Sequence, residues 1–166
     1  KGGSLDDVIA SAQNVVNRTK SICVGLEPCV IPALGHSNFK IEDGTMEFGV
    51  GHHGEAGTKV EKLKSASEMA QEMAETILND FDFEEGKEVA VMLSSLGATP
   101  VMELYVLYDE VEKVLAKAGH KVWKTYIGNY VTSLDMNGAS LTIVDLDDEI
   151  KELLSEPAVP IGMKNY

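Results

Sequence analysis

Val89-Ala90-Val91-Met92-Leu93 followed by Ser94-Ser95-Leu96-Gly97-Ala98-Thr99-Pro100 is the stretch that decides the reading of this 166-residue chain. Five apolar residues in unbroken succession suit a strand covered on both faces, as in sheets with helices above and below. Thr99 and Pro100 suit an N-cap and a first helical turn. Leu104, Leu107, Tyr108, Val111, Leu115 and Ala118 then recur on one helical face, and Gly119 ends it. His120 to about Tyr126 reads as the next strand. The unit is strand, loop, helix, strand.

The same alternation continues outward. Upstream, Ser65-Ala66-Ser67-Glu68 is a capping box, and Met69, Ala70, Met73, Ala74, Ile77, Leu78 and Phe81 trace one apolar face. Methionines on such a face are core filler rather than ligands. Residues 58–64 are polar and lysine-rich and read as a connection; 80–85 read as an acidic loop. Met46, Phe48 and Val50 alternate with polar residues and glycine, giving a strand that runs into two histidines. Phe39-Lys40-Ile41 reads as a short strand before an Asp43-Gly44 turn. Residues 28–38 read as loop, 21–26 as strand, and Ser4 caps a helix from Leu5 to about Thr19. Downstream, Leu141–Leu146 is a strand and Asp147–Leu154 a short acidic helix. The prediction is one α/β domain over residues 1–166, a layered mixed sheet flanked by helices. The apolar helix faces are expected to be consumed by the monomer's own core. The loops 51–58, 94–99 and 127–139 follow strands, where such folds place ligands, and are expected to converge.

Composition narrows the function. Twenty-seven acids against fourteen bases give a formal net charge of −13. That balance disfavours nucleic-acid and anionic-membrane partners, which need clustered Lys and Arg. No Gly-rich loop ending in Lys-Ser/Thr is present to cradle a nucleotide's phosphates. Cys23 and Cys29 form no paired-cysteine framework and no zinc-ligand spacing, although a single disulfide between them stays open; they fit a reducing, cytosolic compartment. No apolar run of spanning length and no signal-peptide pattern is read.

The reactive stretch is Glu47-Phe48-Gly49-Val50-Gly51-His52-His53-Gly54-Glu55-Ala56-Gly57. Its glycines permit positive φ and close approach, and its imidazoles can act as base, nucleophile, ligand or proton carrier. Gly49-x-Gly51-x-x-Gly54 matches the dinucleotide fingerprint, but no helix opens directly behind it and Glu75 lies mid-helix, so that match is rejected. Adjacent histidines on extended backbone point apart, and His36 and His120 stand at no ligand spacing, so no metal site is expected. A structural histidine in a glycine turn is the plain alternative. The sharper reading is a nucleophile: a neutral imidazole nitrogen can add to a ketone carbonyl to give a hemiaminal. Covalent capture would discriminate a small polyhydroxy ketone from alcohols of the same shape. Glu55, two residues on, could orient or polarise the ring.

The run also resembles the E-x-G-x-G-x-H-G-E-P-G signature of the dihydroxyacetone kinases, in their dihydroxyacetone-binding K subunit or domain. Three further stretches carry the resemblance: Val24 to Gly35 with Cys29 and Pro32; Leu96 to Pro100 with Glu103-Leu104-Tyr105; and Ile127-Gly128-Asn129-Tyr130 through Thr132-Ser133-Leu134-Asp135-Met136 and Gly138. The resemblance corresponds to the C-terminal lobe of the K domain. Together with a start at Lys1-Gly2-Gly3, it leads to the expectation of a piece whose N-terminal half is missing. It implies that His53, which precedes Gly-Glu, is the catalytic, substrate-binding histidine that forms the hemiaminal with dihydroxyacetone. It further implies a homodimer, dihydroxyacetone phosphate as product, and no cofactor on this chain. The phosphate would come from ATP, or from an ADP carrier recharged by the phosphotransferase system, on a partner nucleotide-binding (L) subunit or domain. Ala56 departs from the family's proline, Ser94-Ser95 from an expected asparagine, and His52 from the frequent aliphatic residue; His52 points to a different short ketose. The family's general base and hydroxyl ligands lie in the other half, so this piece alone is expected to capture without transferring phosphate. A ketone sensor or coactivator of the same fold is the alternative, and an intact base in the other half would separate the two.

Overall fold

A computed structural model describes residues 2–37, 39–53, 55–80 and 86–163. The elements follow as α1 (Leu5–Asn17), β1 (Thr19–Glu27), β2 (Thr45–Phe48), β3 (Lys59–Lys62), α2 (Ala66–Asn79), β4 (Glu88–Ser95), α3 (Val101–Lys117), β5 (Lys121–Gly128), β6 (Asn137–Asp145) and α4 (Asp148–Ser155). Six strands form one sheet in the order β3-β2-β1-β6-β4-β5. β4 and β5 run parallel, as the intervening α3 requires, and the other neighbours are antiparallel. The sheet is therefore mixed and the fold α/β, as the alternation of patterns predicts. β6 slots between β1 and β4, so strands from both ends of the chain meet at the centre.

Local chemistry explains the helices. Ser4 with Asp7 and Ser65 with Glu68 each complete a reciprocal capping box, satisfying amides that the first turn leaves without partners. α2 buries Ala70, Met73, Ala74 and Ile77, and α3 buries Leu104, Leu107, Val111 and Leu115. These pack on Val24, Met46, Phe48, Val89, Val91, Leu93, Leu141 and Ile143 of the sheet. Each such large side chain contributes roughly 1.5–3 kcal/mol by leaving water. On the opposite face, Ala90 packs with Leu146 and Ile150, flanked by Val15, Trp123 and Leu154. β4 is thus covered on both faces.

Several details differ from the sequence reading. No strand forms at 39–41. The lysine-rich connection instead contains β3, an exposed edge strand pairing Phe48 with Lys59 and Thr45 with Lys62. β2 stops at Phe48 because Gly49 turns the chain at φ +77°. Pro100, not Thr99, is the N-cap of α3 and offers no side-chain cap. The Thr99 hydroxyl is taken elsewhere: it accepts from Gly138 N–H at 2.8 Å and lies 2.7 Å from both Gly138 O and Asn137 Oδ1. Phe81 and the 80–85 loop beyond Asp80 lie outside the described residues, as does Gly54. The apolar face of α1 is not consumed by the core, since Leu5, Val8, Ile9 and Val16 are all more than half exposed.

Candidate functional site

The histidine-glycine stretch is a loop closed at its neck. Thr58 N–H donates to Phe48 O at 2.8 Å, and Gly57 N–H donates to the Glu47 carboxylate, so the two ends of the stretch hold each other. A Cβ on residue 57 would lie 2.5 Å from Phe48 O, which is why the neck needs glycine there. Gly49 N–H donates to Cys23 O at 2.7 Å and fixes the loop to β1. Inside the neck, Gly51 N–H donates to Glu55 O at 2.9 Å and folds the chain back on itself.

The two histidines enter different surroundings, on a turn rather than an extended strand. The His52 ring lies half-buried, with Nδ1 3.9 Å from Cys23 Sγ. Its Nε2 is buried with no hydrogen-bond partner among the described residues. The His53 side chain is 89% exposed, and its Nδ1 stands 3.5 Å from Glu55 Oε1. Glu55 Oε2 also accepts from His53 N–H at 3.0 Å. Its own amide and that of His53, with a smaller part from the imidazole, hold the Glu55 carboxyl below the usual carboxylate range. At neutral pH it is therefore an anion beside one nitrogen of an exposed imidazole. Among the described residues, no group of three or more His, Cys, Asp or Glu side chains is arranged to hold a metal ion.

A cleft of about 380 Å³ runs along this loop, lined by Cys29, Ile31, Phe39, His52, His53, Thr132, Ser133 and Leu134. His52 and His53 of one expected loop and Thr132, Ser133 and Leu134 of another form two walls, and Cys29, Ile31 and Phe39 supply a third that the sequence does not single out as a site loop. Loop 94–99 supports from beneath. Ser133 N–H donates to Leu96 O at 2.7 Å, Ala98 N–H to Met136 O at 3.0 Å, and the Ser94 hydroxyl accepts from Tyr130 and Val131 amides, each at 3.0 Å. Asp135 Oδ1 takes Val30 N–H at 2.7 Å, tying the third wall to the second. Ser133 Oγ donates to His52 O at 2.7 Å across the floor. Leu134 holds φ +54°, unusual for a branched residue, at the cleft's rim. Phe39, Thr132, Ser133 and Leu134 had no assigned role in the sequence reading; their only signal was membership of, or closeness to, motif stretches. Cys23 and Cys29 are both buried and free, so no disulfide links them.

The sequence model of the Dak1 domain matches residues 1–161, nearly the whole chain. The chain belongs to the Dak1 domain family. Among its Dak1 relatives, the dihydroxyacetone-binding subunit of a phosphotransferase-dependent dihydroxyacetone kinase from Listeria innocua is 40% identical over 148 residues, 89% of this chain and 45% of that subunit. The chain thus spans about half the length of the curated relatives it matches. Among solved structures, a dihydroxyacetone kinase operon co-activator superposes with a TM-score of 0.87 at 29% identity, covering 94% of this chain and 49% of that one. The dihydroxyacetone kinase of C. freundii superposes at 0.80 with 26% identity, covering 93% and 28%. The Dak1 fold and the kinase-type subunit resemblance read from the motifs are therefore correct. No helix among the described residues is long and apolar enough to cross a membrane.

Proposed function

We propose that this chain is the substrate-capturing, C-terminal half of a dihydroxyacetone kinase K-type subunit, and that His53 is its covalent anchor. The observation that carries the reading is the His53–Glu55 pair: an exposed imidazole at the cleft rim with a carboxylate 3.5 Å from Nδ1. A carboxylate on that side favours the proton on Nδ1 and leaves the Nε2 lone pair free. Nε2 then bonds to the carbonyl carbon of dihydroxyacetone, and the C=O π pair moves to oxygen. The oxygen takes up a proton while Nδ1 gives one up toward Glu55. The whole ketone is added and no water is lost.

The terminal hydroxyl of the captured ketone would receive phosphate from a donor bound elsewhere, ATP or a phosphotransferase-recharged ADP carrier on an L-type subunit or domain. The net charge of −13 and the lack of a phosphate loop agree with a donor that this chain does not hold. A homodimer and a cytoplasmic setting belong to the same proposal. A second reading, a ketone-sensing coactivator without phosphoryl transfer, is favoured by the TM-score of 0.87 to the operon co-activator. Both readings share the capture step.

Native mass spectrometry of the chain with dihydroxyacetone tests that step. The predicted adduct has the mass of the intact ketone and disappears in His53→Ala. An adduct lighter by one water would be a lysine Schiff base and would contradict the assignment. Phosphoryl transfer by the full-length protein with its L-type partner, measured beside operon activation, separates kinase from coactivator.

A further inference from the structure

We infer that Ser133 is a positioning residue for His53, acting through the peptide unit that joins His52 to His53; the inference rests on the reading of His53 as the nucleophile. A peptide unit is a rigid plane, so fixing its C=O and its N–H fixes the direction from which the following residue leaves. In this loop both ends of that one unit are held. The carbonyl, His52 O, accepts from Ser133 Oγ at 2.7 Å. The amide, His53 N–H, donates to Glu55 Oε2 at 3.0 Å. Gly51 and Gly57 on either side bear no side chain that could set this unit's direction, so the two bonds do so.

Ser133 is suited to the task because it is itself immobile. It is only 7% exposed, its N–H donates to Leu96 O at 2.7 Å, and its C=O accepts from Met136 N–H at 3.0 Å. Leu96 in turn donates to Gly138 O at 3.1 Å, at the start of β6. Ser133 therefore refers the position of His53 to the sheet, across 81 residues of sequence. Glu55 serves twice, as acceptor for the His53 amide and as the charge beside its ring.

Amide hydrogen exchange at His53, read by NMR together with capture of carbonyl-labelled dihydroxyacetone, tests this. In Ser133→Ala the His53 amide should exchange about five- to tenfold faster, the factor that one net hydrogen bond commands. Adduct occupancy should fall with it, while exchange in β4 and β6 stays as in the wild type. Ser133→Thr, which keeps the hydroxyl, should restore both. Unchanged His53 exchange in Ser133→Ala overturns the inference, whatever happens to the adduct. If the wild type forms no adduct, the nucleophile reading fails, and the exchange rates still decide whether the peptide is held. Should Ser133→Ala not fold, Glu55→Ala and Glu55→Gln read the other end: Ala should release the amide, and Gln, which keeps an acceptor oxygen, should hold it. Equal exchange in those two variants would also overturn the inference.

Discussion

His52 and His53 are neighbours in sequence with unlike chemistry, and the difference comes from what surrounds each ring. His53 stands in solvent beside a carboxylate, whereas His52 lies against the Cys23 thiol with Nε2 shut away. The surroundings of His53 were legible in the sequence because its neighbouring glycines and Glu55 sit within a few residues. The contact of Ser133 with His52 O was not, because only the folded sheet brings the two together. The thiols make a residue-scale prediction. Burial pushes the Cys23 thiol above its ordinary value, a shift only partly offset by a hydrogen bond with Ser140. Less thiolate and less access both slow attack on an electrophile. Iodoacetamide at mild alkaline pH should therefore label Cys23 far more slowly in the native chain than in denaturant. Equal labelling rates in the two states, followed by peptide mapping, would show that the thiol is not sequestered.

At the scale of elements, the helices were read well because their signals are local. Capping boxes, a 3.6-residue apolar period and a terminal glycine all lie within one element. Ser65→Ala should destabilise the fold by about 1 kcal/mol, through loss of the N-cap of α2, as measured by urea denaturation. β3 was missed for the opposite reason: Lys59-Val60-Glu61-Lys62 is an exposed edge strand with no buried apolar row, and only pairing to β2 makes it a strand. Thr99 was misassigned because a tertiary partner, Gly138, outcompeted the local cap. Charge also joins elements. Glu88 at the start of β4 meets Lys151 of α4 at 2.6 Å and Lys121 of β5 at 3.1 Å. These two ammonium groups, Lys151 foremost, hold the Glu88 carboxyl below the usual range. A depressed carboxylate contributes stability above its unfolded pKa, which is lost as pH falls through the folded value. Tm should accordingly fall less steeply in Glu88→Gln than in wild type as pH drops below about 4.3, the ordinary glutamate value. Parallel acid limbs for the two proteins would remove Glu88 from the account.

For the whole molecule, the fold class followed from one strand–helix–strand unit and its neighbours, and the central place of β6 did not. Sequence order gives no hint that the last strand inserts between the first and the fourth, since hydrogen-bond partners there lie about 120 residues apart. That insertion is what brings the 127–139 loop beside the histidine loop and forms the cleft. The exposed apolar face of α1 was equally hidden, because a helical period reports that a face is apolar and not that anything covers it. On the proposed function, the assembled cleft delivers His53 to a ketone carbonyl. Carbon NMR of the chain with dihydroxyacetone labelled at its carbonyl carbon tests it most directly. The expected result is a protein-bound signal in the tetrahedral carbon range that is lost in His53→Ala. A carbonyl that stays free in the wild type would contradict it.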